Sequence, residues 1–319
     1  MDCIDSWWNM CAREVVIRLA AGAAVVLAAV LGPACTREPG STALTKGALV
    51  VVVDEAIEPV MRREAEDFQG QYPQAAIEIR VMEAREAVAA FAADSVRVIA
   101  IARRLNEDER KALTGAKIWF EEHHVAQSAV AVIVHPSNPR KEIRIGELDS
   151  IFTGTRTTWS GRGSGGVIEA VIGGLNSSTN EAFRDSILDG RAFGLAATPV
   201  ARSADIVATV ARTPNAIGLA PLNWLQGAGD VSVMAVGGPG FRPDSSLPAG
   251  KYFSPAQAYV YLNYYPLTTP VYVYTREVTR DLSLGFIAFI SSPPGQKLFQ
   301  EAGLVPKTMP VRLIQLSSK

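Results

Sequence analysis

The chain has 319 residues, 48% hydrophobic and 20% charged, with a formal net charge of −1. That length and composition suit a globular protein with two sizeable cores, and the near-zero charge gives no sign of a nucleic-acid partner, which usually meets a basic face. All three cysteines, Cys3, Cys11 and Cys35, lie at the start, so the body can build neither a disulfide nor a Cys-ligated metal site.

Arg13 and Arg18 precede an apolar run of small residues, Leu19 to Leu31. The run is too short to span ~30 Å of hydrocarbon and reads as a secretory signal peptide over residues 1–35. Cys35 follows Leu31-Gly32-Pro33-Ala34, which resembles a bacterial lipobox with Gly32 where Leu is usual. The reading is cleavage before Cys35 and lipidation of that residue, against plain cleavage after Ala34. Trp7 and Trp8 are unusual in a signal, and Met10 is an alternative start. Residues 36–46 read as a polar linker.

Ala48 to Val53 is a β-branched run, a buried strand, with Asp54 and Glu55 at its C-terminal end. Pro59 suits a first helical turn, and Val60 to Tyr72 has helical spacing. Ala76 to Val81 alternates as a strand and Arg85 to Ala93 is helical. Val96 to Ala102 is a strand, followed by Arg103, Arg104 and an acidic helix, Glu107 to Leu113. This alternation predicts an α/β lobe with a mostly parallel sheet, whose ligands bind beyond the C-terminal strand ends.

Val125 to His135 is the next strand, and Ile145 to Phe152 a helix. The run from Thr153 to Gly166 reads as an exposed loop. Val167 to Ile172 is a strand leading to G-G-L-N-S-S-T-N and a helical pattern from Glu181 to Leu188. Here Asn176, Ser177, Ser178 and Thr179 put four short hydrogen-bonding side chains at a helix start. Backbone N–H groups there lack intrahelical partners, so the place suits an anion, while ordinary N-capping needs fewer such residues. Ser203 to Thr213 is helical, Val231 to Val236 a strand, Gly237 to Lys251 a long loop and Val271 to Tyr274 a strand. Leu282 to Ile290 and Pro293 to Ala302 are helices, and Val305 to Leu316 an extended tail.

Three other patterns are weaker. Gly161-x-Gly163-x-x-Gly166 matches a dinucleotide fingerprint but does not open a helix. Glu121-Glu122-His123-His124 lacks metal-ligand spacing and reads as a solvated segment; no metal and no cofactor is implied. Ser177 has no nucleophile elbow around it, so the reading is not an enzyme. The aromatics Tyr252, Phe253, Tyr259, Tyr261, Tyr264 and Tyr265 read as interlobe and hinge packing.

Several segments together resemble the phosphate-binding proteins of bacterial ABC transporters. They are Leu148-Asp149-Ser150-Ile151-Phe152-Thr153-Gly154 with Thr158-Trp159, Asn176-Ser177-Ser178-Thr179, Thr213-Pro214-Asn215-Ala216-Ile217-Gly218, Tyr265-Pro266-Leu267-Thr268, and Ser292-Pro293-Pro294-Gly295-Gln296-Lys297. Their order and spacing agree over most of residues 47 to 307, closest to a divergent lipoprotein branch. The resemblance implies an α/β, two-lobed periplasmic-binding-protein fold of type II, each lobe a mostly parallel sheet flanked by helices. Lobe 1 would be 47–126 plus 256–319, lobe 2 would be 127–255, and a two-strand hinge would join them. It implies a monomeric, lipid-anchored extracytoplasmic receptor that clamps phosphate or a related oxyanion for an ABC permease, with Asp54, Glu55, Ala56, Arg103, Asn176, Ser177, Ser178 and Thr179 lining the cleft.

The departures bear on the ligand. Where the family's first loop offers hydroxyls, this chain has Val53, Asp54, Glu55 and Ala56. The Arg expected after the central loop is Asn180, while Arg103 keeps one cation. One carboxylate can accept the proton of a protonated oxyanion. Two carboxylates also leave open a zwitterionic or amine-bearing ligand, or a sensory or interaction lipoprotein on the same scaffold.

Overall fold

The computed structural model describes residues 44–159, 166–276 and 281–308, all within the unit Thr42–Lys319. The leader, Cys35 and most of the linker lie outside the described residues. In chain order the strands are β1 (Gly47–Asp54), β2 (Ala75–Met82), β3 (Val98–Ile101), β4 (Glu121–Val134), β5 (Glu142–Arg144), β6 (Glu169–Ile172), β7 (Ala197–Pro199), β8 (Ala216–Pro221), β9 (Ser232–Val233), β10 (Ala235–Gly237), β11 (Tyr252–Phe253), β12 (Thr268–Thr275) and β13 (Val305–Pro306). The α-helices are α1 (Glu58–Gln71), α2 (Ala84–Ala92), α3 (Glu107–Gly115), α4 (Ile145–Phe152), α5 (Ser178–Ile187), α6 (Ser203–Arg212), α7 (Gln257–Tyr261), α8 (Leu282–Ser291) and α9 (Pro293–Glu301).

The main sheet runs β2-β1-β3-β12-β4-β8-β6-β7. Strands β1, β2 and β3 are mutually parallel, as are β6, β7 and β8. Strand β4 joins the two sets: its first part pairs antiparallel with β12 and its last five residues pair with β8. Burial on both faces explains the unbroken apolar runs. Successive side chains of β1 go to opposite faces. Val51 and Val53 pack with α1, α8 and α9, whereas Val52 packs with α2 and α3. The far set repeats the plan, with Val132 and Leu219 against α4 and α5 and Ile133 and Val171 against α6. This is the expected two-lobed α/β architecture.

The helix starts follow local chemistry. Pro59 and Pro293 stand in the first turns of α1 and α9. Asn106 and Glu109 form a reciprocal capping box on α3. Because β1, β2 and β3 are parallel, Asp54, Glu83 and Ala102-Arg103 emerge at one sheet edge. The edge where β6 and β8 end carries the α5 loop and the turn Leu222–Leu225.

Several expectations are corrected. Glu121 to His124 is strand laddered with β12; Glu121 is exposed as expected, but His124 is half-buried and stacks on Tyr272 at 4.7 Å. Trp159 is buried rather than loop-exposed: its indole N–H donates to the Asn215 carbonyl at 2.9 Å, which lets a polar loop carry a core aromatic. Helix α5 starts at Ser178, three residues before the apolar pattern, because Ser177 caps it. Tyr265 and Phe253 are buried in the core around β8, while Tyr259 and Tyr261 are exposed, so these rings do not share one role. Val260, Tyr265 and Leu267 also pack in that core. Gly161 and Gly163 lie outside the described residues.

Candidate functional site

The carboxylate of Asp54 is fully buried at the end of β1. It accepts the Ala56 N–H at 3.2 Å and the Ala102 N–H at 3.1 Å, so one side chain ties the loop after β1 to the loop after β3. Burial pushes its pKa up; the nearby Ser178 hydroxyl, the two N–H groups and Arg103 oppose that rise. Ala56 contributes its backbone N–H, its methyl being buried.

Glu55 reaches across the cleft. Its two oxygens accept the Ser203 N–H at 2.8 Å and the Ser203 hydroxyl at 2.7 Å, at the first turn of α6. Helix α6 has no cap of its own, because Arg202 at the N-cap makes no side-chain capping bond. A carboxylate there satisfies an orphan donor and meets the positive end of the helix dipole. The Trp224 indole N–H donates to the Glu55 carbonyl at 3.0 Å. Burial raises the Glu55 pKa first of all; the two bonds from Ser203 and the Arg202 charge lower it, and Asp54 raises it.

Arg103 is buried and already engaged. It forks onto Glu109 with two 2.7 Å bonds, donates to the Arg104 carbonyl at 2.8 Å, and its Nε lies 2.8 Å from Glu181 Oε2. Its charge is therefore balanced by two carboxylates, and it orients α3 and α5 rather than presenting a free fork to the cleft.

The α5 loop is built differently. The Ser177 hydroxyl accepts the Asn180 N–H at 3.3 Å, an ordinary cap. Asn180 donates to the Gly173 and Gly174 carbonyls, both at 2.9 Å, which fixes the loop. The Ser178 hydroxyl is fully buried and faces the Asp54 carboxylate without a well-formed hydrogen bond, and Asn180 Oδ1 is buried and unpartnered. Thr179 is buried beside them, and the Asn176 side chain is exposed.

Two participants were not legible beforehand. Glu83, just past β2, accepts the Asn176 N–H at 2.8 Å, and Ser203 holds Glu55. Glu83 stands at a strand C-terminal end like Asp54 and Arg103, so the same rule would have found it. Ser203 is a Ser at a helix start, the one local signal it offered. Asn223, in the turn after β8, is buried with both amide atoms unpartnered.

The arrangement can hold a small group whose oxygens take the Ser178 hydroxyl and the first-turn N–H groups of α5, facing a buried carboxylate. Among the described residues no cluster of His, Cys, Asp and Glu fits a metal ion, and no helix is long and apolar enough to cross a membrane.

Known proteins share this plan. The chain is similar to the phosphate-binding protein PstS of Bacillus subtilis, 24% identical over 308 residues that cover 93% of this chain and 95% of that one. It also resembles a crystal structure from Clostridium perfringens that holds bound phosphate, with 22% identity, a TM-score of 0.68, and 82% of this chain against all of that one. An ABC-type phosphate transport receptor from Vibrio cholerae matches at 18% identity and TM-score 0.62, over 82% of this chain and all of that one. Residues 39–294 match the family described as the PBP superfamily domain, and with two lobes joined by β4 and β12 around a polar cleft, the chain belongs to that family.

Proposed function

We propose that this protein is an extracytoplasmic solute receptor that captures phosphate or a related small oxyanion between its lobes and presents it to an ABC permease. The observation that carries the reading is the Ser178 hydroxyl: fully buried, without a well-formed hydrogen bond, at the start of a ten-residue helix and facing the Asp54 carboxylate. A buried hydroxyl left wholly unsatisfied costs roughly 1–3 kcal/mol, and a well-aligned ligand oxygen would recover part of that here. The relatives named for phosphate supply the ligand class.

In this reading Ser178, Thr179 and the α5 N–H groups hold ligand oxygens. Asp54 accepts the ligand's proton, since an ionised carboxylate can only accept and therefore favours a protonated oxyanion over a fully ionised one. Strands β4 and β12 form the hinge, with lobe 1 as 47–126 plus 256–319 and lobe 2 as 127–255. Cys35 carries the lipid that tethers a monomer to the membrane, each buried CH₂ contributing ~0.8 kcal/mol. No bond is made or broken in the ligand.

The test is thermal unfolding of the chain, refolded to strip carried-over ligand, with and without about 1 mM phosphate at pH 7. A Kd of ~10 μM adds about 2.7 kcal/mol, a rise of roughly 5 °C or more. A rise with phosphate, absent with sulfate and chloride, supports the reading. No rise with phosphate overturns it and directs the search to zwitterions and amines.

A further inference from the structure

A buried carboxamide stands where the two strand sets meet. Strand β8 ends at Pro221, opposite Val130 of β4, while the preceding β4 residue, Ala129, pairs with Thr268 of β12. The turn Leu222–Leu225 therefore leaves the sheet where β4 passes from β12 to β8, at the same edge as the α5 loop that follows β6. Ligands of open α/β sheets gather at such crossings. The turn is held by its other side chains. Leu222 packs against the core of Val132 and Leu219, Leu225 against that of Ile133 and Val171, and the Trp224 indole donates to the carbonyl of Glu55, the residue after Asp54. Asn223 is set among these anchors, 3% exposed, with neither Nδ2 nor Oδ1 hydrogen-bonded. No other Asn or Gln among the described residues is buried with both amide atoms unpartnered.

A carboxamide buried in this way gives up the water bonds of two donor hydrogens and an acceptor, where a Leu of similar size would give up none. The point holds whichever way the amide is turned, because both ends lack partners. We propose that Asn223 is a ligand-contacting, specificity-determining residue: Nδ2 donates to an ionised oxygen of the bound oxyanion, and Oδ1 accepts a hydrogen from one of its hydroxyls. The assignment rests on the oxyanion reading for its ligand. It selects oxyanions that offer both kinds of oxygen, as phosphate does at pH 7 and sulfate does not. Arg103, the one buried cation among the described residues, is already paired with Glu109 and Glu181. A neutral carboxamide then recognises by the placement of donor and acceptor rather than by charge.

The experiment uses the full chain in detergent, as wild type, Asn223→Leu and Asn223→Ser. It combines phosphate titration calorimetry, melting curves and NMR of labelled asparagine side-chain amides. Asn223→Leu removes the orphaned groups, so without phosphate it should melt at or above wild type. Phosphate should nevertheless bind it about tenfold to hundredfold more weakly, the size of one or two hydrogen bonds to a charged group. Its preference for phosphate over sulfate, read by competition, should fall about tenfold. In wild type, the side-chain amide signal that either variant lacks should shift when phosphate is added. An Asn with a purely structural role, or one held by ordered water alone, would leave affinity unchanged. Phosphate binding by Asn223→Leu within about twofold of wild type, or an unmoved amide signal, overturns the assignment and leaves the oxyanion reading standing. An unchanged preference over sulfate overturns the hydroxyl contact. No phosphate binding by wild type overturns the oxyanion reading and this assignment with it. If Asn223→Leu does not fold, Asn223→Ser and the wild-type amide signal decide.

Discussion

Two helix starts face the cleft, and they treat their orphan donors in opposite ways. Helix α5 is capped from within by Ser177, and its next residue, Ser178, keeps a buried hydroxyl without a well-formed hydrogen bond, facing Asp54. Helix α6 has no internal side-chain cap and borrows Glu55 from the other lobe. A start that caps itself leaves donors for a ligand; a start capped across the cleft uses them to hold the lobes together. In the proposed function, two identical physical devices, each an anion-attracting helix N-terminus, divide into a recognition end and a closing end.

Asp54 is the group on which that division depends, because it joins the loops after β1 and β3 and lies beside Ser178. Asp54→Ala leaves the Ala56 and Ala102 N–H groups buried without an acceptor. Each unsatisfied donor costs roughly 1–3 kcal/mol, offset in part by removing a carboxylate whose burial is unfavourable. Urea denaturation should show a net loss of about 3 kcal/mol with an unchanged m-value. A loss under about 1 kcal/mol would mean that water reaches both donors and that the recognition end is not the dry site described.

A third helix start sharpens the contrast. Glu64 on α1 is fully buried, neither of its oxygens has a hydrogen-bond partner, and Oε2 points at Gly295 in the first turn of α9. Burial pushes up both Glu55 and Glu64, but at Glu55 the Ser203 bonds and the Arg202 charge oppose it, whereas Glu64 is pushed up to about 9, chiefly by burial. Below the unfolded value of about 4.5 both states are protonated and the group does not affect stability. Between about 4.5 and 9 the unfolded chain releases a proton that the folded one keeps, so stability falls as pH rises. Glu64→Gln keeps the shape and removes the titration. It should match wild type at pH 4 and exceed it by about 2 kcal/mol at pH 8, less than the full linkage of about 1.4 kcal/mol per pH unit because buried sites relax. Melting curves at the two pH values check it; a gain of equal size at both would assign the effect to packing.

The strand ends were legible because continuous β-branched runs announce a doubly covered sheet, and ligands gather where such strands finish. Asp54, Glu55, Arg103 and Asn176 to Thr179 were all located that way. What those side chains touch was not legible. Glu55 and Ser203 lie 148 positions apart and Glu83 and Asn176 lie 93 apart, and no local pattern encodes such pairings. Arg103 shows the intermediate case. Its partner Glu109 sits in a capping box readable as N-x-x-E, yet nothing local said that the Arg would turn onto it rather than toward a ligand. Trp159 reads as exposed because the residues around it are polar, yet it packs in the core around β8 and its indole N–H bonds Asn215, 56 positions on.

The smallest expected effect tests the comparison most directly. Ser177→Ala removes a local cap and should cost about 1 kcal/mol. Ser203→Ala removes the hydroxyl bond to Glu55 but keeps the backbone one, and should cost about the same. The two losses become distinguishable against Glu55→Ala. A double-mutant cycle between Glu55 and Ser203 should return a coupling of about 1 kcal/mol, as their contact is direct and partly buried. The cycle between Glu55 and Ser177 should return a coupling near zero, since Ser177 bonds within its own helix. Equal couplings in the two cycles would mean that the helix starts answer to the cleft as one unit, and the division between a self-capped recognition end and a borrowed closing cap would have to be abandoned.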